Sequence, residues 1–373
     1  MTDTEKNYLN DRTNLETTTE HASSVTPDIP QSQIYSGIGG QAVIEGMMMR
    51  NGKRYSVGVR KPDGSIAVME DEYISMTDKY PILKAPLIRG VFSFVDSMVL
   101  GMRCLTFSAS FLEDDPEDAE KEPSKFEAWL DRTFGDKLEP VLETMVMIFS
   151  FVIALLMFVI FPTWIAGFLK PMLPHASLLG LIEGLIRVLI FILYIKVISR
   201  TPDIARTFQY HGAEHKCINC VEHGLPLTVD NVAASSKEHK RCGTSFIVYV
   251  MLISILLFMV IRVDTIWMRL LSRIVLIPVI AGVSFEVLRL VGTHDNALTR
   301  ILFIPGMWMQ GLTTSEPDRA EIEVAIAAVE RVFDWRAFEK ETFGLDFSDR
   351  PSDVHSTIVN IPVVDGKPVL EEA

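Results

Sequence analysis

The sequence predicts an α-helical membrane protein with about four transmembrane helices, further interfacial helices and a small N-terminal β element. Of its 373 residues, 48% are hydrophobic, and the mean hydropathy is +0.25. The apolar residues concentrate in long runs with the charged residues between them, whereas a soluble protein would interleave the two at short period. The net charge of −13 opposes nucleic-acid binding, so the lipid bilayer is the first predicted partner.

Four apolar runs are long enough to cross a bilayer, since each approaches the roughly 20 residues that span about 30 Å of hydrocarbon. They cover residues 141–169, 178–198, 245–261 and 270–291. An earlier apolar stretch, residues 85–112, is interrupted by Arg89, Asp96 and Arg103. Charges at this spacing are costly inside hydrocarbon, which favours an interfacial or re-entrant helix over a true span there.

The remaining segments are predicted from composition and turn chemistry. Residues 1–34 form an acidic, disordered N-terminus, and residues 113–140 an acidic linker with a short helix. Residues 35–84 combine a glycine-rich segment with a β-hairpin, in which alternating runs flank a Pro-Asp-Gly turn. Residues 293–345 predict an interfacial segment and an amphipathic helix, and residues 346–373 a flexible tail.

The orientation follows from the distribution of basic residues. The segment between the second and third runs, residues 200–244, is rich in lysine and arginine, whereas the first and second runs are separated by Lys170 as the only basic residue. The positive-inside rule therefore places residues 200–244 in the cytoplasm, and four spans place both termini there too.

The same segment holds four of the eight histidines and three of the four cysteines. His211 and His215 are four residues apart, which places both imidazoles on one face of a helix, with Glu214 beside them. His-x-x-Glu-His is the spacing of the inverted zincins, in which two histidines bind zinc and the glutamate acts as a base. Gly212 weakens the helical interpretation.

A second metal pattern overlaps the first. Cys217 and Cys220, followed by His239 and Cys242, have the spacing of a structural zinc ribbon. A mixed site, with His211, His215, His239 and Cys242 around one metal, is a third arrangement. Interfacial histidines with no metal are the remaining alternative.

Charged residues inside the predicted spans need partners. Glu183 and Arg187 are spaced for pairing on the second span, and Glu286 and Arg289 on the fourth. Structural pairing is the simpler interpretation, and a polar cavity leading to the metal site is the alternative.

Four motifs in one order resemble the YqhQ-like family, a group of bacterial multi-pass membrane proteins of unknown function that are often labelled predicted metal-dependent enzymes. The motifs are Gly39-Gly-Gln-Ala-Val-Ile-Glu-Gly46-Met-Met-Met-Arg50, His211-Gly-Ala-Glu-His-Lys216, His239-Lys-Arg-Cys-Gly-Thr-Ser-Phe246 and Pro305-Gly-Met-Trp-Met-Gln310 with Leu312-Thr-Thr-Ser-Glu-Pro317. The resemblance extends from about residue 36 to about residue 335. The polar family positions that it implies are Glu45, His211, Glu214, His215, Lys216, Glu222, His239, Arg241 and Cys242. Cys217 is not part of the family pattern, which favours the mixed site over the ribbon.

The predicted function is that of a zinc-dependent hydrolase-like enzyme of the bacterial cell membrane, with a cytoplasmic-side site for a lipid-linked molecule or a membrane peptide. His211, His215, His239 and Cys242 are the expected zinc ligands, and Glu214 the expected base. Further candidate site residues are Glu45, Lys216, Cys217, Cys220, Glu222 and Arg241. A non-catalytic scaffold, whose metal-stabilised loop binds a membrane protein partner, is the alternative, and a transporter is a third.

Overall fold

The computed structural model describes residues 33–111, 138–173, 176–261, 265–294, 296–364 and 366–369. The predictions of a disordered N-terminus and of an acidic linker fall almost entirely outside these residues. The described chain is mostly helical, with one small sheet formed chiefly by the N-terminal segment.

Five strands form this sheet in sequential order. They are β1 (Ile38–Val43), β2 (Gly46–Asn51), β3 (Arg54–Arg60), β4 (Ile66–Glu72) and β5 (Ile358–Ile361). The first four pair antiparallel, and β5 pairs parallel to β4. The predicted hairpin is present as β3 and β4, and the Asp63 carboxylate fixes its turn by accepting the Ser65 N–H at 2.8 Å.

The tail predicted to be flexible is ordered where it is described. It supplies β5 and then a small hairpin, β6 (Val363–Val364) and β7 (Lys367–Pro368). Ile361 is buried in the sheet's core. Pairing with β4, almost 300 positions earlier, therefore orders a segment whose own sequence has little preference for a strand.

Thirteen α-helices are described. They are α1 (Met76–Lys79), α2 (Ile88–Ala109), α3 (Leu138–Leu155), α4 (Phe161–Leu169), α5 (Ala176–Ile198), α6 (Pro202–Glu222), α7 (Val229–Ala234), α8 (Thr244–Val260), α9 (Ile266–Val275), α10 (Ile277–Thr293), α11 (Ala297–Thr313), α12 (Arg319–Val332) and α13 (Trp335–Phe343). A π-helical turn, Leu156–Ile160, joins α3 to α4, and 3-10 turns cover Pro81–Lys84 and Lys170–Met172.

Within the described part of the chain, three helical segments are long and apolar enough to cross a membrane, and a bent helix pair could supply a fourth. The three are Ile88–Ala109, Met145–Met172 and Leu178–Ile198, and the pair is α10 with α11, which are bent by 114°. The predicted third span is the shorter apolar helix α8. The predicted fourth span is broken at Leu276, because Pro278 lies in the first turn of α10 and cannot continue the preceding helix.

The sheet lies between two helical layers. Helices α6 and α12 cover one face, where the core includes Met47, Met49 and Ile326. The second half of α2 covers the other face, where Leu100 and Phe107 are buried. The sheet therefore holds α6, which carries the candidate site, at a fixed position beside the apolar helices.

The sequence predicts that charged residues in the apolar helices pair within one helix, but several of them pair with a residue of another helix. Glu183 accepts from Arg187 at 3.3 Å, as expected, and also from Arg273 of α9 at 2.6 Å. Glu286 pairs with Arg89 of α2, whose Nε lies 2.7 Å from Oε1, rather than with its predicted neighbour Arg289. Interhelical pairing of this kind lowers the cost of placing charge among apolar helices.

Arg187 also donates a hydrogen bond to the backbone of the neighbouring helix. Pro162 has no N–H, so the Phe158 carbonyl four residues earlier lacks its helical donor. The Arg187 Nε donates to that carbonyl at 2.8 Å. The π-helical turn before Pro162 is thus joined to α5 by a hydrogen bond.

Candidate metal centre

The first half of the segment predicted to be a loop, residues 200–244, is a continuous helix, α6. Gly212 lies inside that helix. The position requires glycine because a Cβ there would lie 2.0 Å from the Ser315 carbonyl oxygen. The chain leaving α11 therefore passes directly over α6 at this glycine, and the Ser315 N–H donates to the Phe208 carbonyl at 2.9 Å. Close approach, rather than helix propensity, explains the residue.

Three side chains converge at this crossing. Ligand atoms of His211, His215 and Cys242 all lie within 4.8 Å of one another, and this is the one group of three or more metal-binding side chains found in the described part of the chain. The two imidazole rings are 4.5 Å apart, as their spacing on one helical face predicts. His215 and Cys242 are buried, and His211 is half-buried, so the cluster is open to its surroundings on the His211 side.

Backbone carbonyls orient both imidazoles. Nδ1 of His211 lies 2.9 Å from the Thr313 carbonyl, and Nδ1 of His215 lies 2.6 Å from the Lys237 carbonyl. A carbonyl can only accept, so Nδ1 carries the proton in each ring and Nε2 keeps a free lone pair. Metal-binding histidines usually have this arrangement, since the second hydrogen bond fixes the tautomer and the ring orientation.

The donor set fits a metal ion. Nε2 of His215 is buried and has no hydrogen-bond partner, which is costly for a polar atom. Nε2 of His211 lies 3.2 Å from Sγ of Cys242. Burial lowers the pKa of His215, while Cys242 acts in the opposite direction. Neutral imidazoles and a thiolate are ligands that zinc accepts, and zinc would satisfy the orphaned nitrogen.

The Cys242 sulfur is held by the first turn of α8. The Thr244 hydroxyl lies 3.0 Å from Sγ, and the Thr244 N–H donates to Sγ at 3.4 Å. These two contacts fix the position of the Cys242 sulfur. Three of the four residues of the predicted mixed site therefore lie together.

His239 faces another partner. Its Nε2 lies 3.2 Å from the Glu222 carboxylate, although its ring centre is only 5.8 Å from that of His215. Burial alone would raise the pKa of Glu222, but the His239 hydrogen bond and the Arg241 guanidinium lower it to about 2. Arg241 donates to this carboxylate at 2.6 Å, so Glu222 and Arg241 fix His239 beside the cluster without making it a fourth ligand.

The two other cysteines of the predicted ribbon lie in the protein core. Cys217 is fully buried among apolar side chains, and burial raises the pKa of its thiol. Burial also raises the pKa of Cys220, whose Sγ lies 3.5 Å from the Leu225 carbonyl. The structure thus brings Cys242 to the histidines and leaves Cys217 and Cys220 as core thiols.

Glu214 is buried against the sheet. Its Oε1 accepts the Gly40 N–H of β1 at 3.0 Å. Burial raises the pKa of the carboxyl, while the neighbouring His211 and the Gly40 N–H act the other way. The predicted base is therefore buried and close to His211, but outside the group of three ligands.

Side chains of α6 hold the irregular segment that leads to Cys242. The Lys216 ammonium donates to the Ala233 and Ser235 carbonyls at 2.9 and 2.8 Å. Asn219 donates to the Ser236 and Glu238 carbonyls at 2.7 and 2.9 Å. Lys216 therefore positions the segment between α7 and Cys242, which is a structural task rather than a chemical one.

Glu45 is distant from the metal cluster and fixes the sheet to α6. It occupies the turn between β1 and β2 with φ of 49°, a conformation that glycine usually adopts. Its carboxylate forms a bidentate pair with Arg206, in which Nη2 lies 2.6 Å from Oε2. The Arg60 N–H donates to its carbonyl at 2.8 Å.

Gln310 is a site residue that the sequence reasoning missed. Its side-chain oxygen accepts the His239 N–H at 2.8 Å, and its nitrogen donates to the His239 carbonyl at 2.8 Å. The residue is fully buried at the end of α11. A glutamine closing an otherwise apolar helix, in one of the recognised motifs, was the available signal.

We expect Gln310→Met to weaken zinc binding by about 10-fold, the low end of the cost of removing a residue that supports a metal site, because Gln310 fixes the backbone three residues before Cys242. Both backbone groups of His239 would lose their partner, and the chain leading to Cys242 would loosen. Competition with a chelator measures the affinity. Gln209→Met is the matched control, because Gln209 makes a peripheral hydrogen bond of 3.4 Å, and an equal loss there would contradict the assignment.

Two comparisons place the chain among known sequences. It matches, over residues 85–335, the family described as "Protein of unknown function (DUF1385)". It is 33% identical over 315 residues to a Bacillus subtilis (strain 168) protein described as "Uncharacterized protein YqhQ", a match that covers 81% of this chain and 94% of that protein. No solved structure matches the chain. The resemblance that the four motifs indicate is confirmed by both matches.

Proposed function

The chain belongs to the DUF1385 family, and from that premise we propose that it is a zinc-dependent hydrolase of the bacterial cell membrane with its site on the cytoplasmic side. One observation carries the proposal. Nε2 of the buried His215 lacks a partner at the point where His211 and Cys242 also present their ligand atoms. Three protein ligands are the number typical of catalytic zinc, which keeps one position open.

The location supports a membrane-associated substrate. Cys242 immediately precedes the apolar helix α8, and the Thr313 carbonyl that orients His211 ends α11. The site is therefore at one end of the apolar helices. The lysines and arginines of residues 200–244 favour the cytoplasmic side, and with it cytoplasmic termini.

Each residue has a distinct task in the proposed reaction. When bound, zinc supplies a Lewis acid that makes water nucleophilic near neutral pH. His211, His215 and Cys242 would hold it, and the half-buried side at His211 would admit the substrate. Glu214 would take a proton at its carboxylate, and burial raises the pKa of this carboxyl.

Glu214→Gln is expected to retain zinc and lose hydrolysis by about 100- to 10,000-fold, the usual contribution of a general base. Glutamine keeps the oxygen that accepts the Gly40 N–H, so the fold is preserved. Zinc content and hydrolysis of a panel of ester- and phosphoester-containing lipids, measured on the same detergent-purified samples, test this. Glu238→Gln, an exposed neighbour on the following segment, is the control.

A structural zinc site is the second candidate, and one observation favours it. The segment from Ala233 to Glu238 is tied to α6 by Lys216 and Asn219, so a metal at Cys242 would complete a rigid surface for a membrane protein partner. In that case Glu214→Gln would have full function while loss of Cys242 would unfold the segment. Full hydrolysis by the Glu214 variant would reject Glu214 as the base, and zinc binding without hydrolysis by the natural protein would favour the structural site.

A further inference from the structure

The segment from Tyr73 to Leu100 leaves the sheet and returns to it. Tyr73 follows β4 directly, Leu100 lies in the middle of α2, and both are buried in the same core against the sheet. Between them, the chain descends through α1 and a 3-10 turn, reverses at Leu87 and rises as the first half of α2. We call residues 73–100 the helical hairpin.

Two charged groups of the helical hairpin pair within the protein. The buried Asp96 carboxylate accepts the Met76 N–H and the Tyr73 hydroxyl, each at 3.0 Å. Arg89 pairs with Glu286 of α10.

The tip of the helical hairpin carries exposed charged side chains, Asp78, Lys79 and Lys84, of which Lys84 lies 3.6 Å from Asp78. The side that continues from it is apolar and exposed, and Ile82 is 79% exposed. Such a surface suits hydrocarbon, and a soluble surface would not expose it.

The helical hairpin is too short to cross a bilayer. From Ile88 to Leu100 the helix rises about 18 Å at 1.5 Å per residue. Hydrocarbon is about 30 Å thick, and both ends of the segment are attached to the same sheet. The hairpin therefore enters one leaflet and returns, although α2 taken alone has the length and composition of a span.

The same hairpin borders both sides of the candidate metal centre. The ring of Phe94 lies 5.5 Å from that of Phe246, two residues beyond the Thr244 that holds Cys242. One turn past Met98, a Cβ on Gly101 would lie 2.7 Å from the Gln41 amide, next to the Gly40 that binds Glu214. Helix α2 thus approaches the Cys242 side of the centre at Phe94 and the Glu214 side at Gly101.

An opening lies between these two contacts. Met98 is on the same helical face as Phe94 and Gly101, at four- and three-residue spacing, yet it is 55% exposed. A Cβ built on Gly243, beside Cys242, would meet nothing within 4 Å. Exposed side chains between two contacts, and free space next to a ligand, indicate a gap between α2 and α8.

We propose that a lipid-linked substrate reaches the metal centre laterally, from the leaflet that holds the helical hairpin, through the gap at Met98. Its acyl or polyprenyl chain stays against the exposed apolar side of α2, and its headgroup, with the bond to be hydrolysed, extends towards His211. This rests on the proposed hydrolase function and specifies its substrate class. A membrane peptide is the competing substrate.

Photocrosslinking tests the route with lipid as the probe. The full-length protein carries p-benzoylphenylalanine at one position and is reconstituted in nanodiscs of phosphatidylglycerol and phosphatidylethanolamine. Lipid adducts are then measured by intact mass. We expect adducts at Met98 and at Gly243. Leu189, which is 66% exposed on α5, is the positive control, and Thr106, exposed on α2 beside the sheet, is the negative control.

The outcomes are distinct. Adducts at Met98 and Leu189 but not at Gly243 would mean that the helical hairpin enters the bilayer without leading lipid to the site, which overturns the proposal. Adducts at neither Met98 nor Gly243 would overturn the hairpin's insertion as well. Zinc content of the same samples reports separately on the metal centre. Absence of zinc from the unmodified protein would contradict the proposed hydrolase function, regardless of which positions form lipid adducts.

Discussion

Replacing Cys242 with alanine is expected to reduce the zinc content of the purified protein from one ion per chain to a small fraction of that. The side chain supplies the only thiol of the three-ligand cluster, and two neutral imidazoles alone hold zinc far less tightly. Elemental analysis of detergent-purified protein measures the change directly. The fold should survive, because the neighbouring segment is also held by Lys216 and Asn219.

Cys217→Ala provides the matched control. Cys217 is equally buried but packs in the apolar core, so its removal should leave the zinc content unchanged. Zinc that is lost from the Cys217 variant and retained by the Cys242 variant would favour the ribbon arrangement. Zinc retained by both variants, and by one lacking His215, would remove the case for a metal at this position.

Glu339→Met is expected to stabilise the folded protein, by about 3 kcal/mol at pH 7. Glu339 of α13 is fully buried, neither carboxylate oxygen has a hydrogen-bond partner, and burial raises its pKa to about 8. The folded state therefore binds a proton that the unfolded state has released, since the ordinary value is 4.5. Methionine fills the same space without a group that can ionise.

The pH dependence identifies the cause. Because the folded pKa is raised, the stability of the natural protein should be greatest below pH 4.5 as far as Glu339 contributes, and should fall steadily until about pH 8. The advantage of the methionine variant should grow over the same interval. Thermal unfolding in detergent across that range measures it. Glu341→Met, an exposed neighbour on α13, should show no such trend.

The metal cluster was predictable where local spacing determines geometry. His211 and His215 converge because four residues make one helical turn, and Cys242 follows from the family motif. The partner of His239 was not predictable, because it depends on Glu222 and Arg241 meeting it in three dimensions. Gly212 wrongly weakened the helical interpretation for a similar reason. Glycine is required there by the close approach of a carbonyl oxygen more than 100 positions away.

The fold shows the same division. The hairpin of β3 and β4 was predictable from alternation and a Pro-Asp-Gly turn, whereas β5 is ordered by pairing with β4 across almost the whole chain. Apolar length identified α5 as a candidate span. The same criterion also selects α2, and it is the burial of Tyr73 and Leu100 in one core that supports the re-entrant placement proposed above.

The hydrogen bond from Arg187 to the Phe158 carbonyl has a consequence for biosynthesis. The ribosome synthesises α4 before α5, so the carbonyl freed by Pro162 is already present when Arg187 is synthesised. Glu183 is synthesised with that arginine, whereas its second partner, Arg273, follows some 90 residues later. Helices α4 and α5 can thus pair with the Glu183 charge already matched by Arg187, and Arg273 adds the second ion pair once α9 has been synthesised.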